Sequence, residues 1–532
     1  MRSAGGCRRG RRYRRRAVDT REALRQTFGF EHFRPGQAEA VAAALADRDA
    51  LVVMPTGSGK SLCYQLPALI RDDLTLVVSP LVSLMQDQAW ALGPVAGRRV
   101  GLVNAQQGSA RNAETITRAV EGELRLLYVA PERFAAPGFA AALSRAQVGL
   151  FAVDEAHCVS QWGHDFRPDY FSLAEVARRL QARATIALTA TATPRVAQDI
   201  AQRLALRDPV RVRTGFDRPN LYFAVQPCRG PAEKQRRIAA ALSEPGSLPA
   251  IVYAGTRGLS EELAGFLRRE LAEDVVVYHA GLERATRAAA QERFMSGGAQ
   301  VIVATNAFGM GVDKADVRTV AHAAVPGSLE AYYQEAGRAG RDGNPARCLL
   351  FAAQRDKGLH VFFIERARVT AEAIERVAER LRWAGLDGRY DVELGELEGV
   401  AGVMGRAGGA RVQRGAPRGQ RSAPRVQRGD GEALRAIIGH LARAGWVAPE
   451  PSAPERVAGR IVGEWSPAVA TACLAAAGEA ERTRWRQYRA MWSYVERAGC
   501  RRAALLAHFG DHAVAARRSG CCDVCEAPAA SG

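Results

Sequence analysis

The sequence predicts an α/β protein in which two doubly wound parallel-sheet domains stand in tandem, with a helical region and a small cysteine-rich module behind them. Short apolar runs alternate with amphipathic stretches from residue 20 to about 207, and the scheme resumes near 211 and ends near 353. The runs are almost continuous in Val, Leu, Ile and Ala, as strands buried on both faces require. Four of the ten cysteines crowd between Cys500 and Cys525.

In the first series the runs are LVVM (51–54), LTLVVS (74–79), LRLLYVA (124–130), VGLFAVD (148–154) and TIALTA (185–190). The first opens into MPTGSGKS (54–61), a glycine turn leading from a strand into a helix. The amides of Thr56, Gly57, Ser58 and Gly59 can wrap phosphate oxygens there, Lys60 can meet the β and γ phosphates, and Ser61 can meet Mg²⁺. The fourth run ends in DEAH (154–157), which puts Asp154 at a strand's carboxyl end for the Mg²⁺ shell and leaves Glu155 to polarise a water. Together the two motifs predict an ATP-hydrolysing site. The generic phosphate-loop pattern has glycine where Met54 stands. Against that, only four of the 74 basic side chains are lysine (Lys60, Lys234, Lys314, Lys357), so a lysine behind Gly59 points to a need for a compact ammonium.

The second series, AIVYAG (250–255), VVVYHAG (275–281), VIVATN (301–306) and VRTVAHAA (317–324), predicts a second lobe and hence a cleft between the two. It ends in YYQEAGRAGRDG (332–343). Arg338 and Arg341 are three apart, which on one side of a helical turn would let both guanidiniums face the phosphates across the cleft as arginine fingers.

The chain has a net charge of +18, and much of it lies in two arms: residues 1–17 hold eight arginines and no acid, and 403–431 hold seven arginines and one acid. Both are poor in apolar residues and are expected to remain disordered cationic arms, for which nucleic acid is the natural polyanion. No apolar stretch nears the ~20 residues that cross a bilayer, and the first residues lack the apolar core of a secretory signal. The expected location is the cytoplasm.

These motifs resemble those of the RecQ family of superfamily-two DNA helicases, over residues 28–353. FGFEHFRPGQ (28–37) resembles the family's adenine-recognition motif, which implies Phe30 on the base and Arg34 and Gln37 on its edge. MPTGSGKS matches the helicase version of the phosphate loop, Met included. SPLVSLMQDQ (79–88) and TATAT (189–193) look like the DNA-backbone and coupling motifs, implying Ser79 and Thr189 as DNA contacts. DEAHCVSQWGHDFRPDY (154–170) is the most specific stretch: Trp162 and Phe166 offer flat faces for unpaired bases, and Arg167 adds a cation near Glu155. In the second lobe the resemblance places Asp313 near the nucleotide.

Behind the second lobe, periodicity predicts helices over 370–386, 391–403 and 432–445 and a β-ribbon over 456–465. That order suggests a winged helix, interrupted by the arginine linker, whose helix from Glu432 and ribbon face duplex DNA; a plain helical bundle is the alternative. Then CRRAALLAHFGD (500–511) and CCDVC (521–525) resemble the family's zinc module. Cys522 and Cys525 form a C-x2-C knuckle and Cys500 is the remote ligand. The family has a cysteine where Ser519 stands, so the fourth ligand is Cys521, or else His508 or His512.

The resemblance implies two RecA-like domains, at 19–209 and 210–356. They are flanked by a basic arm (1–18), a helical, winged-helix-like region (357–465) with its linker 403–431, a zinc module (466–526) and a tail (527–532). It further implies an ATP-, Mg²⁺- and Zn²⁺-dependent DNA helicase moving 3′ to 5′ on single strands and unwinding forked or duplex DNA in repair or recombination. An RNA-remodelling ATPase is the rival. A DNA-binding scaffold with a dead site is less favoured because Lys60, Asp154, Glu155 and Arg338 are all intact.

Overall fold

The computed structural model describes residues 19–104, 106–135, 138–160, 168–271, 273–309, 314–384, 387–401, 430–450, 452, 456–511 and 520–526. The basic arm and almost all of the arginine linker lie outside these residues.

The first sheet comprises β1 (Ala50–Val53), β2 (Leu74–Val78), β3 (Val100–Val103), β4 (Leu126–Val129), β5 (Val148–Val153), β6 (Ala184–Thr189) and β7 (Val210–Arg213), in the order β3-β4-β2-β5-β6-β1-β7. Every pairing is parallel. Alternation along each strand feeds two cores: Leu51, Val53, Leu76, Val78 and Phe151 lie under one helical layer, and Ala50, Val52, Val77, Tyr128 and Leu188 under the other. Each fully buried Leu, Val or Phe contributes about 1.5–3 kcal/mol.

The second sheet holds β8 (Leu221–Pro227), β9 (Ala250–Tyr253), β10 (Val275–Tyr278), β11 (Val301–Ala304), β12 (Thr319–His322) and β13 (Ala346–Ala352), ordered β10-β11-β9-β12-β13-β8 and again parallel. β3, β7, β8 and β13 were not among the predicted runs. The expected lobe boundary also moves: Val210–Arg213 pairs with β1 in the first sheet, so the crossover is residues 214–220. Its V-R-V-R alternation is that of a sheet edge, where one face stays wet.

The region behind the second lobe runs helix Ala371–Ala384, β14 (Arg389–Glu393), helix Leu394–Ala401, helix Asp430–Arg443, β15 (Val447–Glu450) and β16 (Arg456–Ile461). The strands form an antiparallel sheet in the order β14-β16-β15, and this element order is that of a winged helix. Ile374, Leu381, Leu397, Leu434, Ile437, Leu441 and Trp446 form its core. The helix predicted over 391–403 begins instead as β14, whose Tyr390 and Val392 point inward while Arg389, Asp391 and Glu393 stay exposed. The expected duplex-facing surface is also partly spoken for. Helix Asp430–Arg443 packs on helix Pro467–Glu496 and touches the first-lobe turn Pro168–Tyr170, and Arg456 of the ribbon pairs with Asp391 at 2.7 Å and Glu393 at 3.1 Å.

The helix Pro467–Glu496 is capped by Ser466, whose hydroxyl accepts from the Val469 amide at 3.4 Å. Its end packs Met491, Trp492 and Tyr494 into the second lobe, while Leu506 and Phe509, from the following segment, enter the first lobe's core. The C-terminal module is therefore wedged against both lobes. No described helix is long and apolar enough to cross a membrane.

Candidate active site

At the end of β1, Gly57 and Gly59 take φ of +79° and +76°, turning the loop so that the chain enters helix Leu62–Ile70 at Ser61. The helix is held by buried Leu62, Cys63, Tyr64 and Leu66. Lys60 Nζ donates to the Met54 and Pro55 carbonyls at 3.2 and 3.4 Å. Burial pushes its pKa down, and the Glu155 and Asp154 carboxylates oppose that shift. Burial, and then the Glu155 charge, push Asp154 up to about 7, so the ionised form calls for a cation beside it. Asp154, Glu155 and Ser61 supply the oxygens suited to Mg²⁺.

Glu155 is left-handed at φ 47°, ψ 46°, a conformation that costs a non-glycine residue on the order of 1–3 kcal/mol and marks functional sites. Its carboxylate lies 3.3 Å from His157 Nδ1, and the same nitrogen lies 3.1 Å from Thr189 Oγ1. Thr189 is fully buried and Ser79 nearly so. Both hydroxyls lie below the surface of the cleft, and Thr189 ties the DEAH turn to the end of β6. Gln88, at the end of the motif expected to touch DNA, donates to Ser61 Oγ at 3.0 Å and accepts from the Tyr64 and Tyr128 hydroxyls at 2.5 and 3.0 Å. Sequence reasoning missed Gln88, whose only signal was its place in that motif.

Phe30 is 55% exposed and stacks on Phe28 at 6.4 Å, leaving a face for a base. Arg34 donates to the Gly57 carbonyl at 2.6 Å, and Gln37 to the Ser58 and Gly59 carbonyls at 3.0 Å each. Both brace the phosphate loop itself.

The second lobe roofs this loop. Thr56 Oγ1 donates to the Gly337 carbonyl at 3.2 Å, and a Cβ on Gly57 would meet Arg341 Cγ at 3.5 Å. Arg338 and Arg341 do not share one side of a helix. The helix Leu329–Ala336 ends before them, and Gly340 turns left-handed at φ +55°. Arg341 consequently lies along the phosphate loop, whereas Arg338 is buried in its own lobe beside Gly309 and Tyr253. Trp162, Phe166, Arg167 and Asp313 lie outside the described residues. The flanks of the aromatic loop do not: Ser160 Oγ donates to Asp199 at 2.7 Å, and the Tyr170 hydroxyl to the Asp154 carbonyl at 3.3 Å.

The sulfurs of Cys500, Cys521, Cys522 and Cys525 all lie within 4.8 Å of one another. Cys521 is the fourth thiol. His508 is engaged with Glu330 at 2.8 Å, and His512 and Ser519 lie outside the described residues. N–H groups of Ala503, Arg501 and Arg502 point at Cys500, Cys522 and Cys521, respectively, at 3.5, 3.4 and 3.4 Å. Four thiol groups, three of them so supported, fit one tetrahedral zinc ion.

Residues 34–200 match the family described as DEAD/DEAH box helicase, 233–343 the helicase conserved C-terminal domain, and 467–526 the RecQ zinc-binding family. The chain is 42% identical over 354 residues to the ATP-dependent DNA helicase RecQ of Haemophilus influenzae, covering 66% of this chain but 56% of that relative. It is 40% identical to the probable ATP-dependent DNA helicase RecS of Bacillus subtilis, covering 67% of this chain and 71% of the relative. In fold it is similar to the Mycobacterium smegmatis helicase Lhr bound to ssDNA and AMP-PNP (TM-score 0.53, 21% identity, 86% of this chain and 61% of that one).

Proposed function

The chain belongs to the RecQ family of ATP-dependent DNA helicases, and on that premise we propose that it hydrolyses ATP in the interlobe cleft and moves 3′ to 5′ along single-stranded DNA, separating duplex strands in cytoplasmic repair or recombination. Lys60 neutralises the β and γ phosphates, Ser61 and Asp154 hold Mg²⁺, Glu155 orients the attacking water, and Phe30 stacks on adenine. Arg341 faces the charge that develops on the transferred phosphoryl group, with Arg338 behind it.

The observation that carries this reading is the roof over the phosphate loop: Thr56 of one lobe bonds to Gly337 of the other at 3.2 Å, so one cleft contains groups from both. The Tyr170 hydroxyl on the Asp154 carbonyl supports coupling of the aromatic loop, with Trp162, Phe166 and Arg167, to hydrolysis. Strand contacts to phosphate need no sequence readout.

Lys60→Ala and Glu155→Gln each abolish ATPase stimulated by single-stranded DNA. Retained stimulation in either variant contradicts the assignment, and stronger stimulation of the unmodified chain by RNA would move the substrate from DNA to RNA.

A further inference from the structure

The crossover 214–220 is gripped from both sides, and one of its side chains bridges the lobes at the proposed nucleotide site. Arg218 Nη1 donates to the Thr56 carbonyl of the phosphate loop at 3.1 Å and to Gly337 O at 3.3 Å, and Nη2 donates to Ala339 O at 3.0 Å and Gly340 O at 2.9 Å. Three of the four acceptors belong to the turn that carries Arg338 and Arg341. Carbonyls beyond a helix end lack helical partners and carry partial negative charge, so a planar guanidinium suits them where a point-like ammonium could not span them.

The segment that carries Arg218 is held in turn by the cysteine module. Arg502 Nη1 donates to the Arg218 carbonyl at 2.6 Å and to Asp217 at 2.7 Å, Nη2 donates to Leu221 O at 2.5 Å, and Nε points at Cys521 Sγ at 3.4 Å. Phe216 stacks on Phe509 at 4.6 Å, and its amide donates to Asp511 at 2.9 Å.

We propose that Arg218 is a positioning residue, a latch that sets Arg341 against the phosphate loop, and that Arg502 ties this latch to the metal-binding cysteines. All four of these bonds go to main-chain carbonyls, so the role assigned to Arg218 is to hold the turn, and its loss is expected in turnover more than in nucleotide affinity. The proposal rests on the ATPase reading above.

The test uses the full chain and the variants Arg218→Lys, Arg502→Gln and their double, with AMP-PNP affinity by calorimetry, kcat with saturating single-stranded DNA, and zinc per chain. Arg218→Lys is expected to lower kcat at least 30-fold while AMP-PNP affinity changes less than fivefold. Arg502→Gln keeps its zinc and lowers kcat at least tenfold, and the double variant is within twofold of Arg218→Lys. An Asn220→Ala variant, which loses a 2.8 Å bond to Gly340 O, lowers kcat about threefold and serves in place of Arg218→Lys if that variant folds poorly. The latch is overturned by an unchanged kcat in the Arg218 or Asn220 variant, by multiplying losses in the double, or by zinc loss in Arg502→Gln. An unmodified chain with no ATPase at all would instead overturn the reading beneath it.

Discussion

Gly337 of the second lobe packs directly on the first lobe's phosphate loop, and substituting it measures how much turnover depends on that approach. A Cβ at this position would lie 2.2 Å from Thr56 Oγ1 and 2.9 Å from the Tyr333 carbonyl. The backbone, at φ −64° and ψ −2°, suits alanine, but the Tyr333 carbonyl of the same lobe must give way, so Gly337→Ala lowers the second lobe's stability while leaving it folded. Relief of the Thr56 contact comes from the lobes separating by about 1 Å, a displacement of reacting groups that costs on the order of 10²-fold in rate, or ~2.7 kcal/mol. The expected result is a kcat down about 10²-fold in a steady-state ATPase assay with saturating single-stranded DNA, run below the lowered melting temperature that the Tyr333 contact brings. Adding Thr56→Ala removes the clashing oxygen and leaves that residue's Cβ at an ordinary 3.5 Å, so the pair recovers at least tenfold. A Gly337→Ala enzyme within threefold of the unmodified chain, or a double variant no better than the single, refutes the reasoning.

The cysteine cluster predicts about one zinc per chain by elemental analysis, lost on Cys521→Ser and retained on His508→Ala; the opposite pattern would exchange the two ligands. His440, on helix Asp430–Arg443, is held down to about 4 by burial, with Arg443 and Arg484 adding to the shift. Because its pKa falls on folding, the stability it confers is present above about 6.5 and is lost as pH falls toward 4. Protection factors for amide exchange in the winged-helix region, which remove the pH dependence of the intrinsic rate, should therefore fall on acidification over that range, and His440→Leu should flatten the dependence; an identical slope in the variant contradicts it.

What was legible in the sequence is what neighbouring residues settle. The phosphate loop, the DEAH turn and the buried central strands read directly, because glycine spacing and apolar runs are local signals. Edge strands were harder: β7 alternates Val and Arg because one face is wet, and β14 hides inside a stretch with helical periodicity. The burial of Ser79 and Thr189 was not legible, because it depends on how strands far apart in the chain assemble. Gln88 and Arg218 stayed silent because their partners lie 27 and 162 residues away for the bonds to Ser61 and Thr56. Lysine scarcity singled out Lys60, which lies in the phosphate loop, but Lys234 shows its limit, since that side chain is buried in an ion pair with Asp356 at 2.6 Å. The fourth thiol was ambiguous until folding put His508 on Glu330.

The account depends most on the second lobe supplying charge to the first lobe's phosphates. Single-turnover ATP hydrolysis by Arg341→Ala measures this directly. The expected outcome is a chemical step slowed by at least about 10³-fold, as for an arginine finger, with AMP-PNP affinity within fivefold of the unmodified chain. A chemical step at the unmodified rate would mean that the lobes meet without sharing a reaction.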